Sequence, residues 1–406
     1  MTNYIVPLNV STYDDAEINA AKEVLDGGYV TMGSLCKEFE TKFSQYLKVP
    51  HSTFVNSGSS ANLLALNALQ VEMSYTRNND ALLMNNELEV IVPALTWSTS
   101  VFPIIQCGFK PVFVDSDPLT LQMNTAHVEQ AITDKTVAIM AVHVLGNTCN
   151  MDHLIALCDK HRLVLIEDCC ESLGAKYKDK YVGSFGDFST FSFFFSHHIT
   201  TIEGGMVCSR TAIHNDQLRM SRSHGWSRHL EDQDTIKALG GKDLRFLFLS
   251  MGYNLRPTEI NAAFGLRQLT RLSTLNERRK AIASMITQEM YDLNLGIKPM
   301  AYTEGADPAL FGYPVLCDSE EQRDDLRNFL ESNGIETRPI IAGNLVKHPV
   351  FTTSRLQLPH RVHTGGLAGA DKVHSCGLFW GLSPFMTVEM TDHLISTLGQ
   401  FNKAGS

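Results

Sequence analysis

Leu163-Val-Leu-Ile-Glu-Asp168 is a short apolar run that stops in two carboxylates. Four consecutive apolar residues without polar alternation read as a strand covered on both faces, the condition of a parallel sheet in an α/β protein. Similar runs recur at Glu89-Val-Ile-Val92, Pro111-Val-Phe-Val114, Val137-Ala-Ile-Met-Ala-Val142, Phe188–Phe195 and Met206-Val-Cys208, with helical stretches between them. Strands alternating with helices predict a mostly parallel central sheet, whose ligands gather at the carboxyl ends of the strands. Asp168 stands at such an end.

Around this centre the pattern predicts further elements. Residues 13–26 read as a helix with Ile18, Ala21, Val24 and Leu25 on one face and Gly27-Gly28 as the stop. Segments 71–87 and 229–243 read as surface excursions. A helix is expected to start at Pro257 and run toward the charged stretch 277–280. In the last third, Leu310–Leu316 reads as a strand. Ser319 and Gln322 form a capping-box pattern ahead of Leu326, Phe329 and Leu330, and Met390, Leu394 and Leu398 mark a final helix. The expected organisation is a large domain over 1–250 and a smaller α/β domain over 251–406.

The 406 residues are 44% hydrophobic and 19% charged, which describes a globular chain with a sizeable core. A net charge of −10 argues against a nucleic-acid binder, since it forces no basic face. Neither an uninterrupted apolar run of about 18 residues nor a charged-then-apolar leader is visible, so no membrane span is expected and the cytoplasm is the expected compartment. The nine cysteines carry no Cys-x-x-Cys and read as buried reduced thiols, and the fifteen histidines show no paired metal-ligand spacing. No metal is expected.

Three stretches carry chemistry. Phe54-Val-Asn-Ser-Gly-Ser-Ser-Ala-Asn62 puts small residues between a strand and a helix, so that the N–H groups of Gly58, Ser59 and Ser60 can face an anion at the helix N-terminus. Taken alone, this reads first as an ordinary helix cap and only second as an anion site. Val92-Pro-Ala-Leu-Thr-Trp97 carries an aromatic just past a strand. Thr190-Phe-Ser-Phe-Phe-Phe-Ser-His-His-Ile-Thr-Thr-Ile-Glu-Gly-Gly205 places two histidines before a small-residue turn.

That last stretch resembles the segment bearing the cofactor-linked lysine in the DegT/DnrJ/EryC1/StrS family of sugar aminotransferases. Ser192, Ile199, Thr200, Thr201, Glu203, Gly204 and Gly205 coincide with the family pattern Ser-Phe-x-x-x-Lys-x-Ile-Thr-Thr-Gly-Glu-Gly-Gly, and His197 falls on the lysine. Val30-Thr-Met-Gly33, His224-Gly-Trp226, Gly252-Tyr-Asn-Leu-Arg-Pro257 and Thr337-Arg-Pro-Ile-Ile-Ala-Gly-Asn344 extend the resemblance over nearly the whole chain, to the branch in which histidine replaces the lysine.

The resemblance implies the fold of type I pyridoxal phosphate (PLP)-dependent transferases, similar to aspartate aminotransferase, with PLP or its amine form (PMP) held non-covalently. It implies cofactor contacts from Gly58, Ser59, Ser60 and Ser192 to phosphate, Trp97 to the ring face, Asp168 to the pyridine nitrogen and Glu171 near the ring 3-hydroxyl. Asn254 would reach the phosphate of a neighbouring subunit, making a homodimer with shared active sites. Imidazole cannot attach the cofactor covalently, yet it moves protons near neutral pH, so His197 is the expected catalytic acid–base. His198 is expected to be structural, pointing away by alternation along an extended segment. His224 and Arg338 are candidate substrate contacts; Arg338 suits a phosphate or a glutamate carboxylate, or equally an exposed ion pair.

The implied activity is a 3-dehydratase acting on a nucleotide-linked 4-keto-6-deoxyhexose. GDP-4-keto-6-deoxy-D-mannose is the substrate suggested by overall similarity, with L-glutamate as amino donor and ammonia released. Two rivals stand beside it. An iron–sulfur relative acting on a CDP-linked sugar needs clustered cysteines, and the spread of Cys208, Cys317 and Cys376 does not supply them. A non-catalytic sensor would have no reason to keep the phosphate turn, Asp168 and Asn254.

Overall fold

The structure is a computed structural model describing residues 4–76, 87–230, 246–293, 295–353, 355 and 357–404. Most of the two expected excursions, including Gly240-Gly241, lies outside these residues.

An eight-stranded sheet forms the centre. In chain order its strands are β1 (His51–Val55), β2 (Glu89–Pro93), β3 (Lys110–Val114), β4 (Thr136–Val142), β5 (Val164–Asp168), β8 (Phe188–Ser192), β9 (Gly205–Ser209) and β14 (Arg361–Val362). They lie side by side in the order β1-β9-β8-β5-β4-β2-β3-β14. From β8 to β14 every pair is parallel; β9 runs antiparallel to β8 and to β1. All seven residues of β4 and all five of β2 and β8 are buried, as a sheet covered on both faces requires. The carboxyl ends of β4, β5 and β8 therefore open on one side, beside the helix Gly58–Thr76 that follows β1.

A three-stranded sheet of β6 (Lys176–Tyr177), β7 (Lys180–Tyr181) and β11 (Ala306–Asp307) borders this layer. The last third builds an antiparallel sheet in the order β10-β12-β15-β13, from β10 (Lys298–Pro299), β12 (Gly312–Leu316), β13 (Thr337–Arg338) and β15 (Gly377–Gly381). Helix Glu320–Ser332 is capped by the Ser319 hydroxyl, which accepts from Gln322 N at 3.1 Å, and it buries Leu326 and Leu330. The Gln322 side chain instead accepts from Asp318 N (2.8 Å), one residue before the cap. The final helix spans Val388–Ala404 and buries Leu394 and Leu398.

Three elements depart from expectation. The helix Asp15–Asp26 buries Glu17, Ala20 and Val24, while Leu25 is exposed. The reason is polar: Gln268 Nε2 (2.7 Å) and Arg271 Nη1 (3.2 Å) both donate to Glu17 Oε1, so a carboxylate takes the place expected of an apolar residue. The helix after Pro257 spans Glu259–Leu293, thirty-five residues, and passes through the charged stretch. It can do so because Glu277, Arg278 and Lys280 stay exposed while Arg279 continues the buried series Leu272, Leu275, Ala283, Ile286 and Met290 at three- and four-residue spacing. The apolar run Phe188–Phe195 leaves the sheet at Ser192. Phe194 and Phe195 are exposed, and Phe193 N bonds Gly204 O (2.9 Å), so a loop returns directly to β9.

Candidate active site

A cavity of about 640 Å³ sits at the carboxyl ends of β4, β5 and β8. Gly58, Ser59, Trp97, Asp168, Glu171, Ser192, His197 and Arg338 all line it, so residues scattered over 280 positions meet in one space (338 − 58). Ser60, His224 and Asn254 are not among its lining residues.

The turn before helix Gly58–Thr76 is built by Ser57, whose hydroxyl accepts from Ser60 N at 3.1 Å and caps the helix. That bond occupies the N–H of Ser60, while Gly58 and Ser59 face the cavity. Two glycines permit the close approach. A Cβ on Gly58 would meet Ser192 Cβ at 2.5 Å, and one on Gly205 would meet Ser57 O at 2.3 Å. Free N–H groups at a helix N-terminus beside the Ser192 hydroxyl make a cradle for a dianionic phosphate.

Asp168 ends β5 and is buried. Its Oδ2 accepts from Asn62 Nδ2 (2.9 Å) and Ser100 Oγ (2.8 Å), and its Oδ1 accepts from Cys170 N (3.1 Å). Asn62 is itself oriented by Thr190 Oγ1, which donates to its Oδ1 at 2.6 Å. The carboxylate is thereby held in one orientation, able to accept a further bond from a protonated ring nitrogen. Asn62 and Ser100 escaped the sequence reading. Asn62 lies four residues after Gly58, so it falls on the same helix face, but its link to β5 crosses 106 residues.

His197 sits in the turn after β8, with its N–H donating to Phe194 O (2.9 Å). Its Nδ1 lies 2.8 Å from Cys170 O, and because a carbonyl only accepts, Nδ1 carries the proton and Nε2 holds the lone pair of the neutral ring. Phe311 and Phe194 pack edge-on against the ring at centroid distances of 5.2 and 6.1 Å. Burial lowers the imidazole pKa to about 4, although the Cys170 carbonyl and Asp168 pull the other way. The ring is thus neutral at pH 7, and once protonated it is a stronger acid than free imidazolium. His198 is buried facing elsewhere, with Nε2 2.9 Å from Ala309 O. The two rings diverge because residues 195–199 form turns and bends, not the extended alternation expected.

Glu171 Oε2 accepts from Leu145 N at 3.0 Å. Burial raises its pKa to about 7; the Leu145 bond opposes this and the Asp168 charge adds to it. Also in the wall, His143 accepts from Cys149 N at Nδ1 (3.1 Å) and so donates from Nε2 to Glu167 Oε2 (3.2 Å). Glu167 further accepts three backbone N–H bonds, from Gly183, Phe185 and Gly186. Among the described residues, the one grouping of three metal-ligand side chains is His143, Glu167 and Cys169. It holds a single thiol, which is not an iron–sulfur ligand set. All nine cysteines are free.

These side chains fit a bound pyridoxal phosphate: a phosphate cradle, a fixed carboxylate for the ring nitrogen, an aromatic at the entrance and a proton-transfer group. Among the described residues no lysine lines the cavity.

A family model described as the DegT/DnrJ/EryC1/StrS aminotransferase family matches residues 11–398. The GDP-4-keto-6-deoxy-D-mannose 3-dehydratase of Yersinia pseudotuberculosis is 35% identical over 399 residues, covering 97% of this chain and 98% of that one. The structure of Escherichia coli GDP-4-keto-6-deoxy-D-mannose-3-dehydratase with bound hydrated PLP matches with a TM-score of 0.87 at 33% identity, over 98% of this chain and all of that one. A GDP-4-keto-6-deoxymannose-3-dehydratase structure with a trapped PLP-glutamate geminal diamine matches with a TM-score of 0.86 at 33% identity, over 97% of this chain and 100% of that one.

Proposed function

Because the chain belongs to the DegT/DnrJ/EryC1/StrS aminotransferase family, we propose that it performs what that chemistry becomes when the lysine is a histidine. It is a PLP/PMP-dependent 3-dehydratase of a nucleotide-linked 4-keto-6-deoxyhexose, with GDP-4-keto-6-deoxy-D-mannose as substrate and the 4-keto-3,6-dideoxy sugar as product. L-glutamate gives up its amino group, which departs as ammonia. The electron pair that replaces the C3 oxygen by hydrogen comes from glutamate, which leaves as 2-oxoglutarate. The relatives named above share this reaction in their names, and one of them carries glutamate on PLP.

The observation that carries the reading is His197, anchored through Nδ1 on Cys170 O inside the cavity that Asp168 and the phosphate cradle share. When bound, the cofactor supplies an electron sink and a carrier for nitrogen. Asp168 holds the proton of the ring nitrogen and so keeps that sink effective. Gly58, Ser59 and Ser192 anchor the phosphate, a task that is greater here because no covalent bond shares it. His197 Nε2 takes a proton in the cavity; the half-buried imidazolium then releases it readily to the departing C3 hydroxyl. A lysine at this place would hand the proton to the sugar and leave nitrogen there. Phe194 and Phe311 hold the imidazole edge-on between them.

We further propose the division expected from the sequence, a cofactor-binding unit over 1–250 and a smaller unit over 251–406 that lends Phe311 and Arg338 to the wall. A homodimer with shared sites is supported by Asn254, which is exposed and outside its own chain's cavity wall, and by the exposed Tyr29, Phe246, Phe248 and Met251. His224 is exposed and outside the lining of its own chain's cavity, and is kept as a substrate contact. Among the described residues no helix is long and apolar enough to cross a membrane. We place the enzyme in the cytoplasm, where nine free thiols remain reduced.

The test is to mix the purified protein with PLP, L-glutamate and a panel of nucleotide-linked 4-keto-6-deoxy sugars. The expected result is PMP formation with glutamate alone, and deoxygenation at C3 with the GDP-linked mannose derivative. Absence of both, or stoichiometric iron and sulfide in the protein, would overturn the proposal.

A further inference from the structure

We propose that Glu336 is the positioning residue that holds Arg338 as the carboxylate-binding group of the cavity, with the N-terminal arm Ile5–Leu8 as the strap that holds Glu336. The inference rests on the reading above, in which glutamate enters the same cavity as the sugar. Among the described residues, Arg338 is the one lysine or arginine lining that cavity. It comes from β13, whereas the phosphate cradle belongs to the helix after β1 and has its own N–H donors. Arg338 is therefore left for a second anion, and its planar fork suits a carboxylate.

An arginine side chain that is 52% exposed has many rotamers open to it unless something fixes it. Two bonds do so here. Nη1 donates to Thr337 O at 2.8 Å and Nη2 donates to Glu336 Oε1 at 2.7 Å. Two of the five N–H donors of the guanidinium are engaged, leaving the rest for a ligand. Glu336 is itself immobilised, being only 17% exposed. Its Oε2 accepts from Leu8 N (2.9 Å), and its own N–H donates to Val6 O (2.9 Å). Ile5 N and Val6 N both donate to Gly334 O, at 2.7 and 3.0 Å, so the arm is zipped along the residues that precede Arg338. It then continues to Asn9, whose Nδ2 donates to Phe195 O (3.4 Å), two residues before His197. With the guanidinium half in water, the Coulombic part of the Glu336 pair is small. What Glu336 supplies is orientation.

Three measurements on the cofactor-loaded protein test this. They are the dissociation constant of glutarate, a dicarboxylate that cannot react; the glutamate concentration for half-maximal PLP-to-PMP conversion without sugar; and the dissociation constant of GDP. Glu336→Gln should weaken glutarate and raise the glutamate half-saturation by about tenfold. The effect should fall on half-saturation more than on the saturated rate, with GDP affinity close to the parent's. Leu8→Pro, which removes the N–H holding Oε2 and alters neither charged side chain, should shift both glutarate and glutamate in the same direction. Parent-like glutarate binding in Glu336→Gln overturns the proposal, including the case where the variant only melts at lower temperature. So does a loss confined to GDP, which would assign Arg338 to the diphosphate. If the parent fails to turn over any sugar, the proposed function fails, yet the glutarate arm still decides on Glu336.

Discussion

Gly58→Ala tests the phosphate cradle directly. The added Cβ would lie 2.5 Å from Ser192 Cβ and 3.1 Å from Cys170 Sγ. Real Cβ contacts essentially never fall below 3.0 Å, so the turn and the end of β8 must part by at least 0.5 Å (3.0 − 2.5). An N–H···O bond near 2.9 Å stretched by that amount is close to broken. A hydrogen bond to a charged group contributes about 1.5–3 kcal/mol. Losing one therefore weakens phosphate binding by roughly 10- to 100-fold, at about 1.4 kcal/mol per factor of ten. Because His197 cannot tie the cofactor covalently, the whole loss should appear in the dissociation constant of PLP. Stability should change less. Alanine is the better helix former by about 1 kcal/mol, which offsets part of an overpacking cost of about 1–3 kcal/mol. The assay is equilibrium dialysis of PLP against cofactor-free protein, with a thermal melt to show that the variant is folded. Ser59→Ala, which keeps its backbone N–H, serves as the control and should bind more tightly than Gly58→Ala. A folded Gly58→Ala protein with the parent's PLP affinity would refute the cradle.

Two further outcomes are expected. His197→Lys restores an amine at the family's lysine position; it should yield a borohydride-trappable PLP adduct by mass spectrometry and suppress dehydration, and dehydration at the parent rate would show that His197 is not the acid–base. Glu171, pushed up to about 7 from 4.5, binds its proton more tightly in the folded than in the unfolded chain, so its stabilising contribution is full below pH 4.5 and is lost as pH rises through 7. The melting temperature of Glu171→Gln relative to the parent should accordingly rise between pH 5 and pH 8, and a pH-independent difference would contradict the raised value.

Much of this molecule was legible before its structure. The apolar runs at 89–92, 111–114, 137–142 and 163–166 coincide with parallel strands, because burial on both faces leaves only apolar residues to choose from. The position of His197 against the family pattern, and the carboxylate at the end of β5, could be read in the same way, since both are local in the chain. Tertiary structure decided whatever depended on neighbours far away in sequence. Leu25 is exposed because Gln268 and Arg271 claim Glu17 for the buried face. The run 188–195 ends its strand at Ser192 because Thr201 N, four residues short of β9, bonds Phe193 O and closes a loop there. Asn62 and Ser100 converge on Asp168 from 106 and 68 residues away, and Leu8 fixes Glu336 across 328. Periodicity reports how a residue meets the core, but a hydrogen bond needs a distance and an angle, and those exist only once the chain has closed on itself. His197 shows both sides: its identity as a histidine could be read in the chain, and the carbonyl of Cys170 determines which of its nitrogens keeps a free lone pair.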